Sequence, residues 1–250
     1  MNKCRLCDME STLRKSHILP RSLILKAKDG DSQLHVFTNN EKPTYSNSDP
    51  KENLLCDCCE QLLSINYETD GINLLKNKRN VVKRTNHIEF INFNYKSWYL
   101  FYLSILWRAS ISTLNQFNNI NLLQIENLAK QCIFNNTINI SKHLDMDEII
   151  RINMFKVVDK SKKIDEETLR NLLMSLTARF EVEHKYYFLM THGFLIQYEI
   201  TFNYIKLKKE LNYSIQFTEM FRDSHRYVPI IDITESKFLT EEFNALINSL

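Results

Sequence analysis

The segment NLLCDCCE at residues 53–60 repeats a cysteine spacing that first occurs in CRLC at residues 4–7. Each segment contains a Cys-x2-Cys pair, and the four cysteines of the two pairs are Cys4, Cys7, Cys56 and Cys59. Zinc binds four soft ligands in a tetrahedron, and two such pairs supply them from two short turns. We therefore predict a structural Zn2+ ion that joins the two segments across the residues between them. The alternative is four unrelated buried thiols.

Cys58 lies between two cysteines that already have the spacing of zinc ligands, so we expect its side chain to point away from the metal. Redox chemistry at Cys56 or Cys58 is a second alternative. It lacks the strand–helix–strand context in which redox-active Cys-x2-Cys motifs occur. Five of the six cysteines precede residue 60, and we expect them to be reduced thiols of a cytoplasmic protein.

The composition is that of a soluble globular protein, with 44% hydrophobic and 25% charged residues in 250, and this excludes wholesale disorder. The formal net charge of +2 excludes a polycation, so any nucleic-acid surface must be a local patch. Residues 1–86 contain 14 basic and 11 acidic side chains, whereas residues 87–250 contain 18 and 19. The positive bias therefore accompanies the cysteines. The longest apolar stretch, residues 98–107, is too short to cross a bilayer, and we expect no membrane association.

The basic run KNKRNVVKR at residues 76–84 suggests a boundary, and we predict two domains, 1–86 and 87–250. Apolar periodicity predicts helices over 60–75, 95–114, 119–134 and 164–180, and a last one over 240–250. Strands are predicted at 35–37, 88–93, 213–217 and 227–233, together with a hairpin that turns at 191–193. The predicted fold class is α+β: a small zinc-braced domain, then a helical segment and a mixed C-terminal region with an antiparallel hairpin.

Two further motifs lie between or beside the cysteine pairs: SHILP at residues 16–20, and Asn53, which precedes the second pair while Glu60 follows it. With the two pairs, this pattern resembles the HNH nucleases, whose ββα-metal core is often braced by zinc knuckles. The resemblance covers residues 1–75. Ser104-Ile105-Leu106-Trp107-Arg108 is similar to a helix that accompanies this variant of the family.

The resemblance implies that His17, Asn53 and Glu60 are catalytic, with His17 as the general base and Glu60 as a ligand of Mg2+ or Mn2+. Histidine titrates near neutral pH and so suits the first role, and a carboxylate suits the second. Asn53 would orient the imidazole or hold the loop. Ser16 departs from the pattern, because relatives carry Asp or His there as a metal ligand. The alternative for His17 is a structural histidine beside a zinc knuckle.

Arg14, Lys15 and Arg21 flank the SHILP motif and are predicted to contact phosphates of a nucleic acid, the alternative being a solvated face. The leading interpretation is a metal-dependent HNH-like endonuclease that acts on DNA, with anti-phage defence as the setting in which such nucleases occur. The alternative is a non-catalytic zinc-knuckle module that binds nucleic acid or protein. Residues 87–250 are expected to recognise a protein partner or a regulatory ligand.

Overall fold

The computed structural model describes residues 2–27, 34–36, 44–46, 49–76, 80–180, 184–201 and 225–247. The predicted strand at 213–217 lies outside the described residues. The described strand nearest the prediction at 35–37 is Leu34–Val36.

The cysteine-bearing region consists of three two-stranded antiparallel sheets and a run of helical turns. Its strands are β1 (Asn2–Lys3), β2 (Glu10–Ser11), β3 (Leu13–His17), β4 (Leu34–Val36), β5 (Thr44–Ser46) and β6 (Lys51–Cys56). Its helices are α1 (Arg21–Ala27), α2 (Asp57–Leu63) and α3 (Thr69–Lys76), with a π-helical turn at Ser64–Glu68 between the last two. β1 pairs with β2, β3 with β6 and β4 with β5. The helix predicted over residues 60–75 is thus present, as three consecutive segments.

A seven-stranded sheet forms the largest element of the remaining chain. Its strands are β7 (Val81–Lys83), β8 (His87–Ile91), β11 (Ile150–Val158), β12 (Met174–Phe180), β13 (His184–Thr191), β14 (Phe194–Thr201) and β15 (His225–Asp232). Their order across the sheet is β12-β13-β14-β11-β15-β8-β7, and neighbours are antiparallel except β11 and β15. The fold therefore contains both helices and strands, and to this extent it agrees with the predicted α+β class.

Helix α4 (Tyr95–Ser110) is the longest helix of the described chain, and it is buried on nearly every side. Asn94 caps its start by accepting a hydrogen bond from the Ser97 N–H (3.1 Å). Such a helix must lie between other elements because it has no solvated face. On the sheet side, the Tyr99 hydroxyl donates to the carbonyl of Ile150 (2.8 Å). On the α3 side, Gly71 lets the backbone approach the ring of Phe101 where a Cβ would collide.

The remaining helical and strand segments are short. They are 3-10 turns at Asn115–Phe117, Leu123–Ile125 and Ile233–Glu235, α5 (Glu126–Phe134), β9 (Asn139–Ser141), β10 (Leu144–Asp145), α6 (Met146–Ile149), α7 (Glu166–Asn171) and α8 (Lys237–Ile247). The helix predicted over 119–134 is helical in its second half, as α5. The hairpin prediction is confirmed, because β13 and β14 pair around His192 (φ 56°) and Gly193 (φ 73°). Positive φ at both central residues is the pattern of a type I′ turn.

The helix predicted over residues 164–180 is wrong in its second half. Asp165 caps α7 by accepting from the Thr168 N–H (2.6 Å), but the helix ends at Asn171. The following segment is β12, which pairs with β13, and its first five residues are buried. Met174–Phe180 alternates apolar and polar side chains, which is the period of a strand, so the helix prediction extended past the point where the period changes.

One cluster of buried side chains extends through both halves of the chain, from Cys4 to Val228. A second, smaller cluster lies between the sheet and α7 and α8. The division into domains 1–86 and 87–250 stays a prediction. No helix in the described ranges is both long and apolar enough to span a bilayer.

Candidate functional site

The four cysteines of the two Cys-x2-Cys pairs lie together, with their Sγ atoms all within 4.8 Å of one another. The Sγ atoms of Cys7 and Cys56 are 3.8 Å apart. A tetrahedral zinc with sulfur at about 2.3 Å places its ligands about 3.8 Å apart, whereas a disulfide needs about 2 Å. The cluster therefore has the dimensions of a metal site and can hold an ion such as zinc.

Electrostatics around the cluster distinguish its members. Burial disfavours the thiolate of Cys4, but backbone N–H groups of Cys7 and Cys56 hydrogen-bond its sulfur, and its pKa is lowered to about 7. The N–H of Cys56 lies 3.3 Å from that sulfur. Burial raises the pKa of the thiols of Cys7 and Cys59, so a bound cation must displace their protons. Cys58 is exposed and lies outside the cluster.

The antiparallel pair of strands β3 and β6 carries His17, the predicted base. Across the two strands Lys15 faces Asn53, Ser16 faces Glu52 and His17 faces Lys51. Side chains alternate between the two sides of a strand, so Lys15, His17, Lys51 and Asn53 share one face. On that face His17 is half-buried and the other three are exposed. The structure thus brings His17 and Asn53 to the same face of the β3–β6 pair, as diagonal neighbours.

Ser16 lies on the opposite face of the β3–β6 pair, where it is fully buried. Its hydroxyl accepts a hydrogen bond from the N–H of Leu55 (3.2 Å). The residue that departs from the HNH pattern therefore supports the β3–β6 pairing in this chain. A side chain on that face is separated from His17 by the strand itself.

The hydrogen bond of the His17 ring goes to a residue that sequence reasoning missed. Nε2 of His17 lies 3.1 Å from Oδ2 of Asp49, and Nζ of Lys51 lies 2.6 Å from the same oxygen. The other oxygen of Asp49 is buried without a hydrogen-bond partner in the described part of the chain. Asp49 could have been found in the sequence as an acidic residue two positions before β6, the strand that pairs with β3.

Glu60 and Glu68 have different surroundings. Oε1 of Glu60, in the first turn of α2, is buried without a hydrogen-bond partner among the described residues. Glu68 accepts a hydrogen bond from Arg108 (3.0 Å), and the guanidinium, 1% exposed, also donates to the carbonyl of His17 (2.9 Å). Arg108 thus connects the end of α4 to the strand that carries the predicted base.

The three predicted phosphate contacts are all exposed. Arg14 is paired with Asp57 at 2.8 Å, and the strand register shifts between Arg14 and Lys15, which lets both reach solvent. Arg21 is the first residue of α1. Exposed ion pairs contribute little to stability, so Arg14 can exchange Asp57 for another anion.

Within the ranges that the structure describes, the four cysteines are the one group of three or more His, Cys, Asp or Glu side chains close enough for a shared ion. Comparison of this chain with protein-family models, with curated proteins and with solved structures gives no match.

Proposed function

We propose that this chain is a metal-dependent HNH-like endonuclease that hydrolyses phosphodiester bonds of DNA, braced by a structural Zn2+ at Cys4, Cys7, Cys56 and Cys59. One observation carries the proposal. The antiparallel pair β3–β6 continues directly into α2, and His17 lies on the pair with its ring hydrogen-bonded to Asp49. β3, β6 and α2 follow in this order along the chain, with α1, β4 and β5 between the two strands, and this order supports the comparison with an HNH core.

His17 is the general base in this proposal. In this role the Nε2–H of His17 donates a hydrogen bond to the carboxylate of Asp49, which leaves Nδ1 to accept a proton from water. Asp49 is then a positioning residue, a role that the sequence interpretation gave to Asn53. Lys51 pairs with the same carboxylate and places a positive charge beside the base, where an incoming phosphate would lie.

Glu60 is the residue that fits a catalytic Mg2+ or Mn2+, because its buried Oε1 has no partner in the described chain. Mg2+ is commonly held by one or two carboxylates plus waters and substrate phosphates, so one protein carboxylate is compatible with such a site. When bound, the ion stabilises negative charge on the scissile phosphate. Lys15 and Arg21, with Arg14, would hold the DNA backbone in a sequence-independent way.

The alternative is a non-catalytic zinc-knuckle module that binds nucleic acid or a protein. Two observations favour it: Ser16 is buried away from His17, and the cysteines are the one multi-donor group of the described residues. This module would bind DNA through the same basic face without cutting it.

Nicking of supercoiled plasmid in Mg2+ or Mn2+ separates the two functions. Replacing a general base lowers the rate by roughly 100- to 10,000-fold, so His17→Ala should abolish nicking while it keeps zinc. The matched control is His143→Ala, because His143 is exposed on the turn between β9 and β10. Equal cutting by His17→Ala and wild type would contradict the assignment.

Glu60→Gln should lose the metal-dependent activity and keep zinc, with Glu10→Gln as the control at an exposed site. Glu68→Gln is a poor control, because Glu68 neutralises the buried Arg108. DNA binding in a gel shift, with no nicking by any of these proteins, would favour the non-catalytic module.

A further inference from the structure

A cavity of about 250 Å3 lies at the start of α4, between α3 and strand β8. It is distinct from the His17 site. Trp98 lines it, whereas Arg108, ten residues further along α4, contacts His17. At 1.5 Å per residue, about 15 Å of helix separates the two positions.

The lining of this cavity is rich in carboxamides. Asn73, Asn80, Asn92 and Asn94 contribute, together with the carboxylate of Asp70. Asn94 uses its Oδ1 to accept from the Ser97 N–H, which leaves its amide N–H groups to donate. None of the nine lining residues in the described part of the chain is basic. These described residues offer donors and acceptors with one negative charge, and they disfavour a phosphate or a carboxylate ligand.

Two buried aromatic side chains, Phe90 and Trp98, complete the wall. The guanidinium of Arg226 lies 3.7 Å from the Trp98 ring centroid, which fixes the ring in place. Trp98 is 2% exposed, and its Nε1 has no hydrogen-bond partner within the described residues. With so little exposed surface, Trp98 gives the cavity a fixed apolar floor rather than a hydrogen-bond donor.

We propose that this cavity binds a guanine base, presented by a nucleoside or by a nucleic-acid strand. Carboxamides pair with the donor and acceptor edges of bases, and the apolar floor suits a planar heterocycle. Guanine presents an imino and an amino N–H side by side, which match the two oxygens of Asp70. Typical ligand pockets measure about 300–1,000 Å3, so this smaller one suits a single base or nucleoside. The proposal does not rest on nuclease activity.

Calorimetric titration of the full-length zinc protein with guanosine, adenosine and guanosine 5′-monophosphate tests the site. We expect saturable binding of guanosine, weaker binding of adenosine, and no gain from the phosphate. Hydrogen bonds to a charged group contribute about 1.5–3 kcal/mol, so Asp70→Asn should weaken guanosine binding roughly 10- to 100-fold. Asn73→Ala should weaken it less.

Matched controls are Glu167→Gln, an exposed carboxylate in the first turn of α7, and Asn119→Ala, an exposed carboxamide remote from the lining. Both should bind like wild type. Absence of guanosine binding, equal binding of adenosine, or unchanged binding by Asp70→Asn would each overturn the proposal. A thymine oligonucleotide with one central guanine, set against an all-thymine strand, identifies the source. Competition by the former indicates a base from a strand, and its failure to compete indicates a free nucleoside.

Discussion

The region of residues 2–76 and the region of residues 80–247 achieve order in different ways. The first has only two-stranded sheets in its described part, and its four cysteines converge on one point. The second has a seven-stranded sheet that packs on the almost completely buried α4. An isolated two-stranded sheet is marginal in water, whereas a large sheet with a covered face is stable through apolar burial. We infer that bound metal supports the first region and packing supports the second.

Removal of the metal should therefore have the largest effect, and it should be regional. Zinc binding in small domains supplies folding free energy directly, so Cys56→Ser or a strong chelator should unfold the strands β3 and β6. Amide hydrogen exchange, followed by NMR or mass spectrometry, should show rapid exchange in β3 and β6 and retained protection in β13 and β14. Elemental analysis should find one zinc per chain in wild type.

Cys58→Ser is the matched control for this experiment, because Cys58 is exposed outside the cluster. It should keep zinc and the wild-type exchange pattern. Protein purified without chelators that contains no zinc would contradict the metal centre. Loss of protection throughout the sheet would show that the two regions unfold as one unit, which the shared cluster of buried side chains permits.

One of the links between the regions is the pair of Glu68 and Arg108, and its loss should give the next largest effect. Removing one partner of a buried pair leaves an uncompensated charge and costs about 3–5 kcal/mol. Glu68→Gln should approach the lower end of that range, because Glu68 is 23% exposed while Arg108 is 1% exposed. Urea unfolding of the zinc-loaded protein measures the loss.

A second variant separates charge from shape in this pair. Glu68→Gln combined with Arg108→Met removes both charges, so its free energy of unfolding should exceed that of Glu68→Gln alone. The reverse order would show that Arg108 stabilises through its contact with the His17 carbonyl rather than through Glu68. Either result measures how much the contacts of Arg108 with Glu68 and with the His17 carbonyl contribute to stability.

The parts of the molecule that sequence reasoning predicted share a local cause. The spacing of the four cysteines, the turn at His192 and Gly193, and the apolar run of α4 each express a constraint within a few residues. The cluster was predicted because metal ligands have a characteristic spacing. Helix α4 was predicted because a long segment that is apolar on all sides is typical of a buried helix.

The parts that escaped prediction depend on contacts between distant segments. β12 is the exception, because Met174–Phe180 alternates apolar and polar residues and so already has the pattern of a strand. Asp49 reaches His17 only because β6 aligns with β3, and the two residues are 32 positions apart in the sequence. Ser16 looked like a weakened metal ligand in sequence, and only the register places it on the buried face.

The smallest expected effect lies in the sheet region and tests whether that region responds to acid independently of the metal. Asp232, 4% exposed at the end of β15, accepts hydrogen bonds from the hydroxyl and N–H of Thr234 (2.6 and 3.0 Å) and from the N–H of Lys160 (2.6 Å). These bonds favour the carboxylate and lower its pKa below the ordinary 3.8.

A lowered pKa in the folded state means that the stabilisation is complete above about pH 4 and is lost as the pH falls through the lowered value. Asp232→Asn should therefore cost about 1–2 kcal/mol at neutral pH, and the difference from wild type should shrink below pH 3.8. Sheet-region amide signals followed in urea measure this without interference from zinc release, which acid causes in both proteins alike. A difference that stays constant down to pH 2 would show that Asp232 stabilises β15 by shape rather than by charge.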